Sequence, residues 1–160
     1  MKKTGYIFSL LLVFSTFSCK EPIRVASFED LEQYTILDYI IENEERFSSF
    51  LSILEVGELD ITLGSYNPYG QDYTLFLPDN EAVDKFISTS NLVSSLDDIL
   101  NNPEIAREFC RYHVVNLGVH SGNFPFGAFP EPTLSSDLLT VSFIITSDSS
   151  YYKINNQAVV

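Results

Sequence analysis

Two cysteines and two histidines hold most of this sequence's capacity for nucleophilic or metal-binding chemistry. His113 and His120 do not fall at the i,i+4 spacing that puts two ligands on one helix face. No zinc-finger spacing is present, and no Cys or acid completes a ligand set around them. Cys110 lies in an apolar helical context with Phe109, Tyr112 and Val114, which predicts a buried thiol acting as a small hydrophobe rather than a nucleophile. Serines are abundant, but the chain has no G-x-S-x-G elbow, Walker loop, G-x-G-x-x-G or D-x-[DN]-x-[DN]-G calcium loop. The acidic pairs Glu44-Glu45 and Asp97-Asp98 fall on helical faces and read as solvated. These residues predict no catalysis, no metal and no cofactor. One stretch is left for binding, residues 123–129, with Phe124, Phe126 and Phe129 among Gly and Pro. Its rings either form an exposed apolar patch for a protein or glycan partner, or fold back and plug the core, the commoner outcome.

Charge narrows the partner. The chain carries a formal net charge of −13, and residues 1–18 contain two lysines and no acid, so removing them leaves −15. Such a surface opposes nucleic acid, whose phosphates need Lys and Arg, and opposes anionic lipid. With 45% hydrophobic and 19% charged residues, the 160-residue chain can bury one core.

The elements that would carry these residues are legible from periodicity and punctuation. Ile36, Leu37, Ile40 and Ile41 recur at helical spacing after Thr35, with Asp38, Glu42, Glu44 and Glu45 on other faces. A second helix follows Ser48, with Phe47/Leu51 and Phe50/Leu54 as i,i+4 pairs and Gly57 as its stop. Residues 65–72, with Pro68 and Gly70, read as a loop. Residues 73–77 (YTLFL) predict a buried strand stopped by Pro78. Asp79 is an N-cap with Glu81 in the first turn of a helix through Phe86 and Ile87. Asn102-Pro103-Glu104 repeats that start signal, and the helix carries Ile105, Phe109 and Tyr112 before a strand at Val114-Val115. Residues 118–132 read as an irregular loop. Strands over 138–146 and 151–154, a turn at Asn155-Asn156 and a last apolar run close the sequence. Helices first and strands later give the class α+β.

The first residues predict export. Lys2 and Lys3 precede an uncharged apolar run over residues 6–17, roughly twelve residues against the about twenty needed to cross a bilayer. It ends at Thr16-Phe17-Ser18-Cys19, which resembles a lipobox, where cleavage precedes a cysteine whose sulfur carries diacylglycerol. The other reading is a conventional signal peptide cut nearby, leaving Cys19 a thiol; the position of Cys19 where the apolar run stops favours the lipid. Acyl chains such as palmitate would anchor stably at about 0.8 kcal/mol per buried CH₂. Lys20, rather than an Asp, favours the outer membrane, on its periplasmic or cell-surface face. Residues 1–18 are then a leader, 19–33 a tether, and 34–160 the domain.

Two ordered segments in that domain resemble the fasciclin domain family. Thr74, Phe76, Pro78, Asn80, Glu81 and Ala82 match the family's strand-to-helix pattern as TLFLPDNEA, and Tyr112 and His113 match its Tyr-His pair as YHVVN. The leading helices, the LLTVSF strand and the INNQAVV turn fit the same layout. The resemblance implies a β-wedge or sandwich with a helical layer, an adhesion role in secreted or surface proteins, and neither cofactor nor catalysis. It also implies that His113 either sits inside and bonds backbone or belongs to a receptor-contact segment. Asp79 departs from the usual Thr, and Ser136-Asp137 stand where a Gly is usual. The family's last strands find no match before Val160, so an unpaired sheet edge is expected.

Overall fold

The computed structural model describes residues 34–65, 72–156 and 158–159. Cys19, the leader over 1–18, the tether over 19–33 and the loop at Pro68 and Gly70 lie outside the described residues. Six helices precede most of the strands, as the α+β expectation required: α1 (Ile36–Glu42), α2 (Glu44–Val56), α3 (Asp60–Leu63), α4 (Asn80–Thr89), α5 (Leu96–Leu100) and α6 (Pro103–Tyr112). Strands β1 (Thr74–Leu75) and β2 (Val114–Val115) pair antiparallel as one small sheet. Strands β3 (Gly127–Ala128), β4 (Thr140–Ile145), β5 (Ser150–Ile154) and β6 (Ala158–Val159) form a four-stranded antiparallel sheet in chain order. No helix among the described residues is long and apolar enough to cross a membrane.

The helix starts follow local chemistry. Thr35 and Asp38 make a reciprocal capping box at α1, and Ser95 and Asp98 make another at α5. Asp98 is therefore a cap residue and not simply a solvated charge. Asp79 Oδ1 accepts from the Ala82 N–H at 3.0 Å, and Asn102 Oδ1 accepts from the Ile105 N–H at 3.3 Å with Pro103 opening α6.

Three expectations need correcting. Helix α2 begins at Glu44 rather than after Ser48, because its first turn is carried across a break at Phe47 (φ −123, ψ 15). The strand expected over 73–77 pairs only at Thr74 and Leu75, since Pro78 and the start of α4 turn the chain away. The irregular loop expected over 118–132 contains β3, paired with Val141 and Thr140; Gly57 does end α2 as expected, with φ −75. A Cβ there would lie 3.1 Å from the Ala106 carbonyl carbon and oxygen, so glycine lets α6 press its backbone against the end of α2. The left-handed residue is Glu58 (φ 59), whose carboxylate meets Arg107 at 3.1 Å.

Two apolar clusters fill the domain, and the small sheet separates them. Successive strand side chains point to opposite faces. Val114 and Leu75 accordingly join the helical cluster around Phe50, Ile53 and Ile99, while Val115 and Phe76 join the cluster of Phe124, Phe129, Leu139, Val141 and Ile154. Arg111 fixes the seam by donating twice to the Leu134 carbonyl, at 3.0 and 2.6 Å.

Ser136 has φ 72 in the turn before β4, where Thr133 O accepts its N–H at 2.8 Å. That conformation costs an L-residue roughly 1–2 kcal/mol. Ser136→Gly should raise stability by about 0.5–1 kcal/mol in urea unfolding, the relief being partly offset by unfolded-chain entropy. A loss of stability would show that the serine side chain holds the turn. Asn155 (φ 51) and Asn156 (φ 59) take the same region more readily, as short polar side chains do, and form the tight turn between β5 and β6.

Candidate interaction surface

The residues of the strand-to-helix pattern act on the backbone around them. Thr74 is buried; its hydroxyl donates to the Leu117 carbonyl at 2.6 Å and accepts from the Val119 N–H at 2.9 Å, pinning the chain that leaves β2. Phe76 plugs the sheet cluster, and its N–H donates to the His113 carbonyl at 2.9 Å. Pro78 precedes the cap, and Glu81 and Ala82 are exposed in the first turn of α4.

Asn80 has a larger task. Its Oδ1 accepts from the Ser49 N–H at 3.0 Å, and its Nδ2 donates to the Glu45 carbonyl at 3.1 Å and to Ser48 Oγ at 3.1 Å. Ser49 and Glu45 are the i and i−4 partners that an unbroken helix would join directly. The Asn80 amide is inserted between them, which is the physical cause of the break at Phe47. The break turns Phe47 into the helical core, where it is buried.

His113 caps the end of α6. Its Nδ1 lies 2.7 Å from the Phe109 carbonyl, and its ring contacts those of Phe109 (4.7 Å), Tyr112 (5.5 Å) and Phe50 (5.8 Å). Burial holds its pKa below the ordinary value, against a smaller opposing pull from the Phe109 carbonyl. A neutral ring with Nδ1–H donating to that carbonyl fits this geometry. Tyr112 points the other way: its Oη accepts from Asn155 Nδ2 at 3.0 Å, tying α6 to the turn after β5. The pair expected as one unit thus divides between core and seam. His120 is exposed, away from these contacts. Cys110 is fully buried, and desolvation pushes its thiol up to about 12, far from a thiolate nucleophile.

The phenylalanine stretch also divides. Phe124 and Phe129 are buried, so as candidate binding residues they are corrected to core. Phe126, between them, is 77% exposed. It stands at the outer end of a row of rings. Phe76 meets Phe124 at 5.9 Å, Phe124 meets Tyr152 at 5.3 Å, Tyr152 meets Phe143 at 4.9 Å, and Phe143 meets Phe126 at 6.1 Å. Ile145, on the same face of β4 as Phe143, is 76% exposed. Sequence reasoning missed Phe143 and Ile145; the alternation Val141, Phe143, Ile145 in TVSFII was the available signal.

Among the described residues, no group of three or more His, Cys, Asp or Glu is placed to hold a metal ion. The family model of the Fasciclin domain matches residues 45–160. The chain belongs to the fasciclin domain family. No curated protein matches it. Fasciclin domains are generally extracellular adhesion or interaction modules and are generally non-catalytic. In this fasciclin domain Thr74, Asn80 and His113 bond backbone and Phe76 packs in the sheet cluster, while Glu81 and Ala82 face solvent. Several large apolar side chains face solvent, among them Leu92, Leu138 and Ile61; Phe126 and Ile145 are the two that flank Phe143 at the end of the ring row.

Proposed function

We propose that this fasciclin domain is a non-catalytic interaction module, held by lipid on Cys19 to the outer membrane of a bacterium, and that it meets its partner through the face bearing Phe126. The observation that carries this reading is Phe126 itself: a ring 77% exposed, met edge-on by Phe143 in a row that runs into the core. A patch of this kind supplies apolar contact at little ordering cost, because its base is already fixed. The acidic charge of the chain favours a protein or glycan over nucleic acid as that partner.

The anchor and the face are tested together on cells producing the full chain. Cys19→Ser is expected to abolish incorporation of labelled palmitate into the chain, and undiminished incorporation overturns the lipid anchor. External protease on intact cells should cleave the domain if it faces outward; full protection removes the adhesive role and leaves a periplasmic one. Phe126→Ser should reduce binding of cells to immobilised protein or to a glycan array by about 10-fold, with no change in melting temperature, as for an exposed hot spot.

A further inference from the structure

The edge of β4 is built to receive a strand. Thr140 O accepts from the Asn155 N–H, and Leu139 O accepts from the Phe129 N–H, both at 2.8 Å. Backbone direction alternates along a strand, so even-numbered residues of β4 turn their N–H and C=O to β5 and odd-numbered ones turn them to the β3 side. On that side Gly127 pairs with Val141, and the ladder then stops. Continued by register, residue 125 would oppose Phe143, but it is Pro125 and has no N–H to give. The outward groups of Phe143 and Ile145 thus have no strand partner among the described residues. Strand β4, TVSFII, contains no charge and no proline, the usual means of blunting such an edge.

We propose that a second copy of this chain occupies that edge, β4 against β4, antiparallel about a two-fold axis through Ile144. In this register Phe143 faces Ile145 of the second copy and Ile145 faces Phe143, and both members of each pair turn their backbone groups outward. Four hydrogen bonds close the ladder. The side chains agree with the backbone: the exposed Ile145 of each copy comes to lie beside Phe143 of the other and next to its exposed Phe126. One contact therefore covers both large apolar groups of this face.

The neighbouring geometry excludes the register shifted toward β3. An axis at Phe143 would bring Ile145 of the second copy opposite Val141, where Gly127 already sits. With the axis at Ile144, the incoming chain leaves the strand at the turn over 146–149, closed by the Thr146 N–H to the Ser149 carbonyl, just before it would meet β3. Charge is compatible as well. In a chain of net charge −13, β4 has no ionisable residue and β5 has only Lys153 and its tyrosines, so two copies can meet here without opposing carboxylates. The remaining repulsion is long-range, and salt should strengthen the pairing.

The proposal deepens the reading of the Phe126 face by naming its occupant, and its test separates the two. Sedimentation of the full chain carrying Cys19→Ser should show a concentration-dependent dimer that tightens with ionic strength. Ile145→Lys should weaken it at least ~10-fold without changing the circular dichroism melt, because that side chain is already in solvent. Across the axis the two Ile144 residues form a pair not joined by hydrogen bonds, with Cα atoms about 4.5 Å apart, within disulfide reach. Ile144→Cys should therefore oxidise to a covalent dimer at least ~10-fold faster than Tyr151→Cys, which lies opposite Ile144 but one strand farther from the edge. A monomer at every concentration, a dimer indifferent to Ile145→Lys, or equal cross-linking at the two cysteines overturns the pairing. If the monomeric chain still loses target binding through Phe126→Ser, the pairing falls and the contact surface stands.

Discussion

Asn80→Ala is expected to lower the melting temperature by about 10 °C, corresponding to a loss of about 2–3 kcal/mol. The substitution removes an acceptor from the Ser49 N–H and donors from the Glu45 carbonyl and Ser48 Oγ, in a partly buried seam between α2 and α4. The helix cannot recover the loss cheaply by closing its own hydrogen bond. Straightening α2 would change the backbone at Phe47 and swing its buried ring from the helical core. Asn80→Asp should fall between the two, since it keeps an acceptor for Ser49 and loses the donation to Glu45. Urea unfolding of the three proteins is the measurement. Equal stabilities would show that the Asn80 amide does not hold the break.

His113→Ala should cost about 2–4 kcal/mol through the space left among Phe50, Phe109 and Tyr112. It should also remove a pH dependence that a purely steric role would not produce. The folded pKa of His113 lies below its unfolded value of about 6.5. Neutral His113 therefore favours the folded state: its contribution is complete above pH about 6.5 and is lost as pH falls through the lower folded value. The parent protein should lose melting temperature across that window, and the alanine variant should stay flat there. At lower pH both should weaken alike, because Asp38 and Asp98 are held below the usual carboxylate range by hydrogen bonds with Thr35 and with Ser94 and Ser95. Identical pH profiles as pH falls below about 6.5 would overturn the neutral imidazole at His113.

The parts of this fold that were legible in the sequence are those decided locally. Asp79 and Asn102-Pro103 announce their helices because a cap satisfies donors within three residues of itself. Val141 to Ile145 reads as a strand because alternation is local too. What stayed hidden depends on a second segment. Gly57 looked like an ordinary helix stop, whereas its lack of a side chain answers to Ala106 on another helix. Asn80 was visible as one letter of a pattern, but its role is set by Glu45 and Ser49, more than thirty residues earlier. Helix α5 showed only as the helical face under Asp97-Asp98, because five residues leave too short a period to set its bounds. Among the phenylalanines, nothing near Phe126 distinguishes it from Phe124 and Phe129. The partition follows from which rings meet Phe76 and Tyr152, and that is a property of the assembled sheet.

The buried thiol of Cys110 gives this domain an internal stopwatch. With its pKa pushed to about 12 and no surface open to solvent, it reacts with an alkylating reagent only in molecules whose helical core has come apart. The rate at which Cys110 gains mass in native buffer then reads the free energy of that opening directly. The reading is made without denaturant, one residue from the seam between the helices and the sheet.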